Sequence, residues 1–195
     1  MSPEEVRELL PLYALGALTP EERARVEEAL KRYPELWPEA KALLETAAEL
    51  AAELGATSAD HLAAISELGI QALAAARTVA TLLPGTMLFL GRPKQAPARA
   101  LIEAGIPVAL ASDFNPGTSP TVNFPLVLTL GVSQLRLSVA EALIAGTVNG
   151  AAALGLAHEI GQVAPGFQAD LALFDVRDHR ELPYWYGSSR WSRTS

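Results

Sequence analysis

Cysteine is absent from the 195 residues, and histidine occurs three times, as His61, His158 and His179. The first absence excludes disulfides, a thiol nucleophile and thiolate metal ligands, and it fits a cytoplasmic chain. The second leaves few imidazoles from which to build a metal site. No stretch of about 18 apolar residues occurs, so no membrane-spanning helix is expected. The opening Met1-Ser2-Pro3-Glu4-Glu5 is acidic where a secretory leader is basic, so no leader is expected there. Gly-x-Gly-x-x-Gly, the P-loop and Gly-x-Ser-x-Gly are all missing, which leaves out the common nucleotide fingerprints and the serine nucleophile elbow. A basic footprint for nucleic acid is missing too: the net charge is −7.

That charge is uneven. Residues 1–54 hold 12 acidic and 6 basic side chains, whereas the remaining 141 hold 10 and 9. Half of all residues are hydrophobic and the mean hydropathy is +0.20, enough for a packed core and too much for disorder. The acidic part reads as three helices. The first runs from Glu4 to Leu18, with Val6, Leu9, Leu10, Tyr13, Ala14 and Ala17 close to one stripe. Thr19-Pro20-Glu21-Glu22 starts the second, with Thr19 as N-cap and Glu22 closing a capping box, and Tyr33-Pro34 ends it. The third spans about Pro38 to Leu54 and stops at Gly55. The run from Leu9 to Glu27 resembles the N-terminal region of anti-sigma factors. That resemblance implies a helical surface that holds a sigma factor, here through Leu9, Leu10 and Tyr13, and the segment lacks the His and Cys of the zinc cluster many members carry.

From Gly55 the rhythm changes to strand, helix, strand, helix, strand, as in βαβ units with a parallel sheet. Strand character is expected at Ala56–His61, Thr78–Leu83 and Pro107–Ser112, and helices at Leu62–Ala76 and Ala96–Ala104. Further helices are expected at Phe124–Leu135 and Val139–Leu154, then a strand at Ala169–Phe174. The third strand is apolar without alternation, which suits a strand buried on both faces, and Asp113 stands where it runs out. In α/β barrels the strand ends carry the chemistry. Asp113 therefore has two readings, a chemical one and one in which it only stabilises the Asn115-Pro116-Gly117 turn. His61 ends the strand two before it, so both residues can face one mouth; a helix-start role beside Asp60 is the other reading. His158, next to Glu159, and His179, among Arg177, Asp178 and Arg180, read as solvated.

Asp60-His61-Leu62, Thr78 to Thr86, Ala109 to Thr118, Thr147-Val148-Asn149 and the segment Gly161 to Asp175 together resemble the imidazolonepropionase family of metal-dependent amidohydrolases, in one register from about Gly55 to Gly187. The resemblance implies an α/β fold: the C-terminal part of a TIM-like (β/α)8 amidohydrolase barrel with a remnant of the small β-sandwich, preceded by the all-α helical segment. It divides the chain into 1–54 and 55–195. It implies hydrolysis of the ring amide of imidazolone-5-propanoate to N-formimidoyl-glutamate in histidine degradation, with a Zn or Fe ion. Carried over by position, Asp113 is the metal-binding aspartate, His61 the active-site histidine, and Asn115, Gly117 and Thr118 the loop that holds substrate.

The departures are as specific as the matches. The family's His-x-His pair and its third metal-binding histidine are missing, and an acidic helical stretch stands where the first five strands should precede Gly55. One carboxylate and one histidine do not make the three or four ligands of a catalytic metal. Three strands of eight would also leave open edges, which favour a homo-oligomer. The expectation is a hydrolase-type fragment inactive by itself, or alternatively a non-catalytic protein binding a partner through residues 1–54.

Overall fold

A computed structural model describes residues 1–14, 18–186 and 191–194. Leu15, Gly16 and Ala17 of the anti-sigma-like run, and Gly187 at the end of the second resemblance, lie outside the described residues.

Three strands form one parallel sheet in sequence order: β1 (Ser58–Asp60), β2 (Val79–Leu82) and β3 (Val108–Leu110). Ala59 lies opposite Ala80, and Thr81 opposite Ala109. Every residue of β2 and β3 is buried, as a sheet covered on both faces requires. Helices α1 (Pro3–Ala14), α2 (Pro20–Arg32) and α3 (Trp37–Glu53) precede β1, with a short 3-10 turn at Pro34–Leu36. Helix α4 (Glu67–Ala76) joins β1 to β2, and α5 (Pro84–Phe89) and α6 (Ala98–Glu103) join β2 to β3. After β3 come α7 (Phe124–Ser133), α8 (Val139–Gly146) and α9 (Val148–Ala153). A second sheet pairs β4 (Ala172–Phe174) antiparallel with β5 (Trp191–Thr194). Three parallel strands with helical connections, followed in the chain by a separate antiparallel pair, agree with the expected C-terminal piece of a (β/α)8 barrel.

Local chemistry explains most boundaries. At Thr19 the hydroxyl accepts from the Glu22 N–H while the Glu22 carboxylate accepts from the Thr19 N–H, the expected capping box; Ser138 and Glu141 repeat it on α8. The single helix expected over Val139–Leu154 is instead two, broken at Thr147 with φ −127° and ψ −85°. Gly146 sits at that break because a Cβ there would lie 2.8 Å from the Phe124 ring. Strand β5 occupies a tail whose polarity gave no strand signal.

Two apolar clusters form. The larger joins Leu73, Leu82, Leu101 and Val127, all essentially inaccessible, under the sheet and its helices. The smaller joins Val6, Leu10, Val26 and Leu36. Helix α3 serves both, with Ala40 in the smaller cluster and Ala48 in the larger, and it packs along α4. The expected contact surface at Leu9, Leu10 and Tyr13 is corrected here: Leu10 is fully buried, and Leu9 and Tyr13 pack against the same cluster. The outer strand β3 is also stitched from the side, since the Asn149 amide of α9 donates to the Val108 carbonyl at 2.8 Å.

Leu82→Ala, at the centre of the sheet, is expected to lower stability by about 2–5 kcal/mol. Urea unfolding followed by circular dichroism measures it; a loss below about 1 kcal/mol would mean the sheet is not the core of the fold.

Candidate functional site at the strand ends

The C-terminal ends of β1, β2 and β3 open into a cleft of about 670 Å³ whose opposite wall is built by α1, α2 and α3. His61 follows β1 directly, and its N–H donates to the Thr81 carbonyl, extending the ladder by one bond. His61 and Leu62 then adopt positive φ angles of 66° and 59°, two successive non-glycine residues in a sparsely used region. Asp113 follows β3 after Ala111 and Ser112, also with positive φ, 50°. Both side chains line the cleft, together with Asp60. The structure thus brings His61 and Asp113 to one mouth.

Each is held. The hydroxyl of Thr86, a buried residue in the first turn of α5, donates to Asp113 Oδ2 at 2.7 Å. Asp113 and Thr86 face each other because β2 and β3 are neighbours, and a spacing of 27 residues concealed that pairing in the sequence. The Asn115 side chain organises the loop: its amide donates to the Asp113 carbonyl at 2.6 Å, and its oxygen accepts from the N–H groups of Gly117 and Thr118. The Thr118 hydroxyl is tied to the same amide and is buried. Asn115, Gly117 and Thr118 therefore shape one rigid turn beside Asp113. His158 and His179 lie elsewhere, exposed, each against a neighbouring carboxylate, Glu159 at 3.1 Å and Asp178 at 3.4 Å.

The sequence reading missed the opposite wall. From α2, Arg23 Nη2 lies 2.9 Å from His61 Nε2. Because a guanidinium only donates, His61 Nε2 accepts, and the neutral ring carries its proton on Nδ1. Arg23 Nε also binds the carboxylate of Glu27 at 3.3 Å, and Glu27 is buried. Burial, then the Arg23 charge, push the His61 imidazole down to about 4, against the pull of Asp113. Loss of hydration raises the Asp60 carboxyl, and Asp113 adds to it, while the Ser58 hydroxyl at 3.3 Å opposes it. Burial, then Glu27, raise the Tyr13 hydroxyl at the same wall to about 12. The capping box gives no hint that α2 reaches His61; only the i,i+4 spacing of Arg23 and Glu27 was visible.

A divalent ion of the kind the family resemblance implies does not fit the donors present. Among the described residues no three His, Cys, Asp or Glu side chains converge closely enough to hold one. His61 Nε2 is engaged by a cation, and Asp113 is bonded to Thr86. No chemical step is assigned to a metal on this chain.

Comparison with known proteins gives the following. The Amidohydrolase family model matches residues 38–183. A zinc-finger model matches residues 4–32, a segment that has no His or Cys. The imidazolonepropionase of Geobacillus thermodenitrificans (strain NG80-2) is 47% identical over 175 residues, 88% of this chain and 41% of that one. The imidazolonepropionase of Brevibacillus brevis (strain 47 / JCM 6285 / NBRC 100599) is 42% identical over 195 residues, 96% of this chain and 46% of that one. The chain thus spans less than half the length of these curated relatives. Among solved structures, an adenosine deaminase from Xanthomonas campestris with bound zinc aligns with a TM-score of 0.67 at 21% identity, over 87% of this chain and 40% of that one, a likeness of fold.

A ring held neutral in the fold protonates first in the unfolded chain, so its contribution to stability is present above about pH 6.5 and is lost as pH falls towards 4. His61→Asn, which tolerates the positive φ, is expected to flatten that part of the decline in urea midpoints measured from pH 7 to 4. Parallel declines in both chains would show that the ring is not held neutral.

Proposed function

The chain belongs to the amidohydrolase family, and from that premise we propose that its strand-end cleft serves hydrolysis of a cyclic amide C–N bond, that of imidazolone-5-propanoate, yielding N-formimidoyl-glutamate in histidine degradation. The observation that carries this reading is the convergence of His61 and Asp113 at one mouth, in a chain 47% identical to an imidazolonepropionase. In this reading Asp113, oriented by Thr86, accepts the proton of the attacking water. His61, proton on Nδ1, orients the amide. Asn115, Gly117 and Thr118 form the substrate-side loop.

The Zn or Fe ion that the resemblance implies needs three or four ligands, and this chain supplies at most His61 and Asp113. Activity therefore requires a second polypeptide that brings the missing ligands, and a preparation of this chain alone is expected to be inactive. The outer strands β1 and β3 each pair with one strand only, β3 being capped at Val108 by Asn149, and these sheet edges support self-association. We place the protein in the cytoplasm, its small-molecule substrate being metabolic. We also divide the chain into an acidic helical part, 1–54, and a partial hydrolase domain, 55–195, with α3 packing on both.

A second reading, non-catalytic capture of a sigma factor by helices 1–54, is supported by the match over residues 4–32. Burial of Leu10 removes the surface first assigned to it, so this reading ranks below the hydrolase.

The deciding measurement is metal content together with imidazolone-5-propanoate turnover, on the chain alone and after mixing with a metal-loaded amidohydrolase subunit that carries the His-x-His pair. The expected result is turnover only in the mixture, abolished by Asp113→Asn in this chain. No turnover in either, or turnover indifferent to Asp113→Asn, overturns the proposal.

A further inference from the structure

The two apolar clusters divide helix α3 between them. Its first half gives Ala40 and Leu43 to the cluster of α1 and α2, and its second half gives Ala48, Ala51 and Ala52 to the cluster under the sheet. Between Ala40 and Ala48 no residue of α3 is buried, and Leu44 and Ala47 line the cleft instead of a core. There the Thr46 hydroxyl donates back to the carbonyls of Ala42 at 3.2 Å and Leu43 at 3.1 Å, a bond that loosens and bends helices. The family matches part nearby, one ending at residue 32 and the other starting at 38.

Helices α1 and α2 thus carry a core of their own. They pack on each other, α1 on α3 and α2 on the Pro34–Leu36 turn, and among the described residues neither packs comparably on a strand or a later helix. What separates them from the strand ends is the cleft of about 670 Å³, not a packed interface. The contacts that bridge it are light. Arg23 Nη2 meets His61 Nε2 at 2.9 Å, Arg92 lies 5.4 Å over the Trp37 ring, and a Cβ at Gly117 would lie 4.0 Å from the Ala24 Cβ. Among the described residues, Arg23 to His61 is the hydrogen bond that joins α1 or α2 to anything beyond α3. Parting these contacts leaves both apolar clusters assembled, so the opening belongs to the low-energy end of local motions.

We propose that α1, α2 and the first half of α3 move together as a hinged cover, with residues 44–47 as the pivot and Arg23 as the latch, and that this cover lifts before anything reaches His61 Nε2. Closed, the latch occupies the lone pair of that nitrogen, so the contact is autoinhibitory. Open, the strand-end mouth is uncovered while the core of the cover stays intact. The inference concerns access to His61 in this chain by itself and does not rest on the hydrolase reading.

The test labels the full chain with diethyl pyrocarbonate at neutral pH and reads each histidine by mass spectrometry of its peptide. The reagent attacks an imidazole lone pair, which on His61 is the one that Arg23 occupies. The exposed His158 and His179 serve as internal standards. His61 is expected to react about tenfold or more slower than His158, at a rate that climbs with urea far less steeply than global unfolding does. The chain has no cysteine, and a disulfide spans a Cβ separation of 4.0 Å, so Ala24→Cys/Gly117→Cys ties the cover shut on oxidation. Oxidation is expected to slow His61 labelling about tenfold or more with His158 and His179 unchanged, and reduction to restore it. Arg23→Gln/Glu27→Gln, which frees the latch without stranding a buried carboxylate, is expected to speed it about tenfold. A disulfide that does not form would mean that α2 does not rest on the Asp113 loop, and overturns the proposal. So does His61 labelling as fast as that of His158, or none at all, or a urea dependence equal to that of unfolding. A rate unchanged by oxidation, or unchanged in a folded Arg23→Gln/Glu27→Gln, overturns it too. None of these results bears on the mixing experiment with Asp113→Asn, so the two readings fail separately.

Discussion

The constraint on which the rest depends is that β2 and β3 are apolar on both sides. A parallel sheet of such strands cannot leave a face to water, so every helix that follows is committed to covering it. Helices α8 and α9 lie against β3, and α9 also reaches β2. Helix α4 connects β1 to β2 and packs along α3, with Leu73 in the large cluster. The acidic helices are thereby attached through apolar burial, with Ala48, Ala51 and Ala52 against the large cluster, and not through surface charge. Small residues at those positions let α3 approach closely, and Gly69 on α4 marks the contact: a Cβ there would come 3.2 Å from the Ala48 Cβ.

Once α3 is seated, α2 has little freedom. It is fastened to α1 and the Pro34–Leu36 turn through the smaller cluster, and the side it turns to the sheet carries Arg23 and Glu27. Burying Glu27 without a partner would be costly, so the salt bridge to Arg23 is what makes the position tolerable. The guanidinium is then pinned, and Nη2 lies 2.9 Å from His61 Nε2. The strained backbone at His61 and Leu62 aims that ring at the cleft and not along the strand. A structural demand on one buried carboxylate thus sets the tautomer of an imidazole on another element.

Much of this was legible in the residues. The capping boxes at Thr19 and Ser138, the buried strand before Asp113 and the strand-end place of His61 follow from local chemistry, and the structure contains them. What local chemistry cannot show is which faces meet. The Thr86–Asp113 bond depends on neighbouring strands, and the Arg23–His61 bond on the path of α2 over the sheet, 38 residues away. Leu9, Leu10 and Tyr13 form a stripe, and a stripe reads alike whether it meets a foreign partner or the next helix of its own chain; here it meets α2 and α3. The break at Thr147 was hidden because Gly146 is a mild interruption by propensity, and only the Phe124 ring makes it decisive.

The strand-end mouth is therefore governed by electrostatics supplied from outside the barrel. In the hydrolase family a metal ion would organise the imidazole and carboxylate by drawing both towards one positive centre. Here a positive centre is present, but it is organic, and it touches only one of them. The imidazole is kept neutral by burial first and by the adjacent guanidinium second, while Asp113 accepts from a neutral hydroxyl on α5. A cation that can neither exchange its ligands nor acidify a bound water binds anions but does not activate a nucleophile. Among the described residues no third carboxylate or imidazole joins His61 and Asp113 closely enough to hold a Lewis acid beside them.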